Sequence, residues 1–168
     1  MTISMYAASA PVILQALNGL RKVVDKAEAH AKSRKIDEQA LLQMRIFPDM
    51  FPFVRQCQIV TDNAKGSMAR LSGQTPPSYE DTEASFEALR ARVDKTIAYV
   101  ESFTPEQIDG SEDHDIVLKF PNGEHHFKGQ PYLLGHVLPN LFFHAATAYD
   151  LMRQAGVELT KGDYLARG

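Results

Sequence analysis

The 168-residue chain holds one cysteine, Cys57, so no disulfide can form within it. That suits a reducing compartment. It also lacks an excess of positive charge. Lys and Arg number 18 against 21 Asp and Glu, for a net charge of −3. The cations are scattered, with only short clusters such as Lys32–Ser33–Arg34–Lys35. This excludes the basic footprint of a nucleic-acid binder. No apolar run approaches the ~20 residues of a membrane span. The opening stretch "MTISMYAASAPVILQALNGLRK" has no basic residue before its apolar part, which makes it a poor secretory signal. There is no Asn-X-Ser/Thr acceptor. The expectation is a cytoplasmic protein with neither nucleic acid nor membrane as partner. Gly-rich phosphate loops, His-Glu-X-X-His and Gly-X-Ser-X-Gly are absent too, and "TKGDY" near the C-terminus lacks the glycines a phosphate loop needs.

What is present is ordinary for a globular protein: 44% hydrophobic and 23% charged residues. The length favours one domain over residues 1–168, able to bury on the order of 70% of its unfolded surface. Ile13, Leu17, Leu20, Val24, Ala27 and Ala31 recur at steps of three and four, which predicts an amphipathic helix from about Ala10 to Lys35. Ser9 is its expected N-cap, with Pro11 in the first turn. Residues 2–8 form an earlier turn or extend the helix.

A second helical segment runs from about Asp37 to Ser72, interrupted at Pro48 and Pro52. Val54, Cys57, Thr61, Ala64, Met68 and Leu71 share its apolar face, with Gln58 and Asp62 beside that face. Gly73 ends it, and "GQTPPSYED" reads as loop. A third helix is predicted from about Tyr79 to Phe103 on Phe86, Leu89, Val93, Ile97 and Val100, with Glu80, Asp81 and Glu83 near its positive end. "DIVLKFPNGEHHFKG" is the strand-like stretch, and Asn122–Gly123 predicts a hairpin that pairs Phe120 with His125 and Leu118 with Phe127. A last helix is predicted from about Pro131 to Ala155 on the apolar stripe of Leu134, Leu138, Leu141, Ala145, Ala148 and Met152, closed by Gly156, either kinked at Gly135–Pro139 or starting at Pro139 itself. Four long amphipathic helices and one hairpin make an all-α helix bundle.

Candidate chemistry lies mainly in the last helix. His136, Asn140 and His144 are spaced by four, so successive side chains turn by only about 40°. Two donors at such spacing can share one metal ion. Asn140, however, is a neutral amide, and its carbonyl is a weak ligand. The alternative is that Asn140 and His144 pair with polar groups on a neighbouring helix such as Gln58 or Asp62, since an unsatisfied buried polar group costs roughly 1–3 kcal/mol. His125 and His126 are adjacent in a strand and point to opposite faces, so they do not chelate together. Cys57 could pair with His144 as a nucleophile, but only Arg55 nearby would favour its thiolate.

The "PNLFFHAATAYDLMRQAG" helix and the "PDMFPFVRQCQIVTDNAKGSMARLSG" segment resemble the DinB-like superfamily. They resemble more closely a branch catalogued as a domain of unknown function. Residues 48–52, Asp62, Ala64–Lys65, Pro139–Asn140, Phe143–His144 and Lys161–Leu165 carry the match, which covers nearly the whole chain. The resemblance implies an up-down-down-up four-helix bundle, often a homodimer. It also implies a divalent metal, such as zinc or nickel, held by three histidines: one on the second helix and a His-X-X-X-His pair on the last. Carried onto this chain, the pair falls on Asn140 and His144 and the third position near Gln58, with Asp62 one turn later. One imidazole of three is kept.

Three functional expectations follow. The first is a bundle with a degenerate metal triad, whose polar pocket of Gln58, Asp62, Asn140 and His144 binds a small molecule, or orders the core. In an enzyme version His144 is the general acid or base. The second is a metal-dependent thiol transferase or isomerase using Gln58 or Asp62, Asn140 and His144 as a variant ligand set. The third is a dimeric interaction module without chemistry.

Overall fold

A computed structural model describes residues 3–167. The chain is mostly helical, with a small two-stranded antiparallel sheet. Four long helices dominate: α1 (Met5–Arg34), α3 (Phe53–Leu71), α4 (Phe86–Glu101) and α7 (Leu138–Gln154). Short helices α2 (Glu38–Leu42), α5 (Pro105–Ile108), α6 (Gly129–Pro131) and α8 (Lys161–Tyr164) fill the connections. Strands β1 (Asp115–Phe120) and β2 (Gly123–Lys128) form the hairpin, and a π-helical stretch, Tyr132–Val137, leads from α6 into α7. α1 packs on α4 and α7, and α3 packs on the same two. Among the described residues no helix is long and apolar enough to cross a membrane.

The expected apolar faces are largely the buried ones; Leu134, expected on the stripe of the last helix, is exposed, because it lies in the π-helical stretch, which breaks the helical period. Ile13, Leu17, Leu20, Val24, Ala27 and Ala31 of α1 meet Val54, Cys57, Ala64, Met68 and Leu71 of α3 in one core with Phe86, Leu89, Val93 and Val100 of α4 and Leu141, Ala145, Ala148 and Met152 of α7. Helix α1 starts earlier than expected. Ser4, not Ser9, is its N-cap, and the Ser4 hydroxyl accepts from the Ala7 N–H at 3.2 Å. Burial of Met5 stabilises the added turns, and Pro11 removes only one N–H from the ladder. The Ser9 hydroxyl instead donates to the Met5 carbonyl at 2.7 Å. Thr2, part of the same expectation, lies outside the described residues.

Helix α4 starts later than expected. Ser85 caps it, accepting from the Ala88 N–H at 3.1 Å, and the chain before it has no regular structure back to Gln74. Glu80, Asp81 and Glu83 are therefore not a helical first turn; they are drawn onto a buried arginine described below.

The hairpin forms where expected but slips by two residues. Phe120 pairs with Gly123, Leu118 with His125 and Ile116 with Phe127. The turn is thus Pro121–Asn122. The expected register would place Pro121 in the ladder opposite Glu124, where it has no N–H to give. In the turn its fixed φ is an advantage. A slip of two preserves the faces, so Leu118, Phe120, His125 and Phe127 still share one side.

Near Pro139 the chain avoids a simple kink by adopting the π-helical stretch, one of the usual accommodations for a break in the helical ladder. At the other end of the molecule, Gly19 lets the C-terminal segment dock on α1. A Cβ there would lie 2.0 Å from the Tyr164 carbonyl oxygen.

Candidate functional site

The Nδ1 of His144 lies 2.6 Å from the Oε1 of Gln56, not Gln58. Gln56 is 1% exposed, and its Nε2 donates to the Phe51 carbonyl at 3.0 Å. That second bond fixes the amide's orientation. The His144 ring therefore carries its proton on Nδ1. Burial, reinforced by Arg55, lowers its pKa below 6.5.

Gln58 faces elsewhere. Residues two apart on a helix differ by about 200°. Its Nε2 donates to Glu83 at 2.8 Å and its Oε1 accepts from Arg55 at 3.3 Å. Both belong to a charged network centred on Arg92 of α4, whose side chain is 3% exposed. Arg92 donates to Asp62 at 2.8 Å, to the Thr61 hydroxyl at 2.7 Å, to the Glu80 carbonyl at 3.0 Å and to Glu83 at 3.1 Å. Asp81 lies 3.0 Å from it, and Lys65 lies 3.1 Å from Asp62. The Tyr79 ring sits among Lys65, Arg92 and Lys95, with ammonium and guanidinium centres 4.1–5.5 Å from its centroid. The network ties the segment before α4 across α3. A charged residue inside the α4 stripe, between Leu89 and Val93, was the signal for it.

Asp62 and Asn140 both line a cleft of about 350 Å³ between α3, the hairpin and the π-helical stretch. Arg55, Ile59, Asn63 and Arg70 line it from α3, Leu118, Lys119 and Phe120 from the hairpin, and Tyr132 and His136 from the π-helical stretch. Neither Gln58 nor His144 lines it. The two asparagines hold the irregular backbone: Asn140 Nδ2 donates to the His136 carbonyl at 2.7 Å, and Asn63 Nδ2 approaches the Val137 carbonyl at 3.4 Å. Their Oδ1 atoms accept no bond among the described residues. The His136 ring stacks on Tyr132 with centroids 5.7 Å apart, and Phe127 packs against it at 5.3 Å. Burial, then Arg70 and His125, lowers the His136 pKa below 6.5, so the ring is neutral at pH 7. His125 and His126 themselves are exposed.

The residues that the resemblance aligns with a metal triad do not fit a tight zinc or nickel site. Gln58, Asn140 and His144 each serve a different partner, and two of the three are amides. Among the described residues no three His, Cys, Asp or Glu side chains are placed to hold a metal ion. Cys57 is fully buried in the core, and burial pushes its thiol pKa far up, the opposite of an activated nucleophile.

No curated protein matches the chain. Among solved structures, the crystal structure of a DinB family member protein from Shewanella denitrificans superposes with a TM-score of 0.86. It is 35% identical, over 95% of this chain and 90% of that one. A family model described as "Domain of unknown function (DUF1993)" matches residues 5–165. The chain therefore belongs to the DUF1993 family, a branch of the DinB-like superfamily.

Proposed function

We propose that this chain is a small-molecule-binding member of its family, and that its site is the cleft between α3, the hairpin and the π-helical stretch. The observation that carries the reading is the concentration of side chains there. Two guanidiniums, an ammonium, a carboxylate, two amides and three aromatic rings line one concave space. Its volume is at the low end of small-molecule sites, about 300–1,000 Å³. A π-helical segment in its wall is a second support, since such segments are frequent at functional sites. Asp62 and Asn140 belong to this site; Gln58 and His144 order the helices around it. The four long helices are read as an up-down-down-up bundle, supported by the way α1 and α3 each pack between α4 and α7. The account needs no metal.

A thermal-shift screen of a metabolite panel tests this, run on the protein and on the cleft-filling variant Asn140→Trp. Compounds that stabilise the first and not the second support the site. Compounds that stabilise both equally place binding elsewhere.

The dimeric interaction module has one observation in its favour. Phe47, Phe51, Phe142 and Phe143 are exposed, and the Phe51–Gln56–His144 chain of bonds brings the first pair's loop to the second pair's helix. Light scattering over a range of concentrations, with Phe143→Ser as the control, separates the two: a dimer that the variant dissolves favours this reading.

A further inference from the structure

The cleft's charges are not all matched, and the remainder points to a ligand class; this inference rests on the reading of the cleft as a binding site. Asp62 is taken by Arg92 at 2.8 Å and Lys65 at 3.1 Å. Arg55 is taken by Asp81, 2.5 Å away. Lys119 lies 3.6 Å from Glu124 across the hairpin. Arg70 is different. Its Nη1 donates to the Tyr132 hydroxyl at 3.3 Å, and among the described residues no carboxylate is paired with it. It is only partly buried, so its remaining N–H groups are available to a solute.

Arg70 is also held in place. Its side chain folds back over Gly66 one turn earlier on α3, where a Cβ would lie 2.5 Å from Nη1. Gly66 thus creates the room in which the guanidinium lies against the cleft wall. The same cleft is lined by two flat, partly accessible rings, Phe120 and the neutral His136, the latter backed by the buried Tyr132 ring on which it stacks. The free Oδ1 atoms of Asn63 and Asn140 supply acceptors for an N–H or O–H on the solute. A guanidinium fork matches a carboxylate geometrically. One unmatched cation, with Asp62 nearby, suits a single negative charge rather than the double charge of a phosphate monoester.

We propose that the cleft binds a small planar carboxylate, its carboxyl group on the Arg70 guanidinium and its ring or conjugated body against Phe120 and His136. Gly66 is a positioning residue, since it sets where Arg70 lies.

The test is a titration of ¹⁵N-labelled protein with benzoate, benzamide and inorganic phosphate, followed at the amides of Asn63, Leu118, Lys119 and Asn140. Benzoate shifts these amides, and benzamide binds at least about tenfold more weakly, as loss of a charge-assisted hydrogen bond requires. Arg70→Gln weakens benzoate by the same factor. Gly66→Ala, which keeps the charge but displaces it, weakens it as well while the melting temperature is held or raised. Benzamide binding as tightly as benzoate, or Arg70→Gln leaving benzoate unchanged, overturns the carboxylate assignment and leaves the cleft itself standing. Phosphate binding as tightly as benzoate overturns it in favour of an oxyanion site without the planar wall. No perturbation by any of the three also overturns it. The cleft reading is then judged separately, by the metabolite screen on Asn140→Trp.

Discussion

His144 Nδ1 donates to Gln56 Oε1 across 2.6 Å, and this bond joins α7 to α3 beneath the loop that holds Phe51. Gln56 is buried, so removing its partner leaves an amide oxygen unsatisfied in the interface. His144→Ala is expected to cost about 1–3 kcal/mol, read as a lower denaturation midpoint at pH 7.5. Acid has the same target. Burial lowers the folded-state pKa of both His144 and His136 below 6.5. Between that lowered pKa and the ordinary unfolded value near 6.5, the unfolded chain binds more protons. Stability therefore rises with pH through this window and is lost as pH falls through it. Urea melts from pH 7.5 down to 5 should show the loss, and a His136→Phe/His144→Gln double variant should show less of it. A flat profile would contradict the assignment.

Arg92 is the buried cation at the centre of the network under the segment that precedes α4. Arg92→Met leaves Asp62, Asp81 and Glu83 without their central partner, a change of about 3 kcal/mol for a buried charge cluster. For a chain of this size that is about 6–12 °C in melting temperature. Hydrogen exchange should accelerate in residues 74–85 first. Arg92→Lys is not expected to rescue, because one ammonium cannot reach the oxygens of Thr61, Asp62, Glu80, Asp81 and Glu83 that the guanidinium now serves.

Two helical glycines should respond oppositely to alanine. At Gly19 the new Cβ meets the Tyr164 backbone oxygen at 2.0 Å. The clash displaces α8, with its Gln15–Leu165, Lys22–Arg167 and Lys26–Asp163 contacts. A net loss on the order of 2 kcal/mol follows, or about 4–8 °C. At Gly66 the obstacle is the flexible end of Arg70, so the gain in helix propensity of about 1 kcal/mol is expected to prevail. Equal melting temperatures for the two variants would contradict the docking of α8.

Metal content follows from the donor set. His144 offers one free imidazole nitrogen, while Gln58 and Asn140 are committed to Glu83 and the His136 carbonyl. Elemental analysis of tag-free protein is expected to find zinc and nickel well below one per chain, unchanged in Asn140→Ala/His144→Ala. Stoichiometric metal lost in that double variant would revive the thiol transferase.

Much of the fold is legible in the sequence, because the apolar steps in α1, α4 and α7 report burial directly. Gly156, with φ of 86°, ends its helix as expected. Where structure and sequence expectation differ, the causes are tertiary. Helix α4 starts later than its sequence predicts because Glu80, Asp81 and Glu83 suit a helix dipole locally but are claimed by Arg92 in the folded chain. The hairpin register differs because Pro121, not Asn122–Gly123, decides which residues occupy the turn. Of the four residues expected to share one pocket, Asp62 and Asn140 line the cleft proposed as the binding site, whereas Gln58 stands two residues from Gln56, the partner of His144. Helix α3 is buried on most of its circumference, so one apolar stripe could not show that Gln56, in step with Phe53 and Val60, faces α7. Arg70 and Tyr132 gave no periodic signal, since the π-helical stretch that presents Tyr132 breaks the period.

The most direct test of the central claim is a map of amide shifts induced by the first compound that stabilises the protein in the metabolite screen. The account predicts that the shifts concentrate at Asn63, Leu118, Lys119 and Asn140. Shifts concentrated at Gln58 and His144, or on the Phe47 and Phe143 surface, would contradict it.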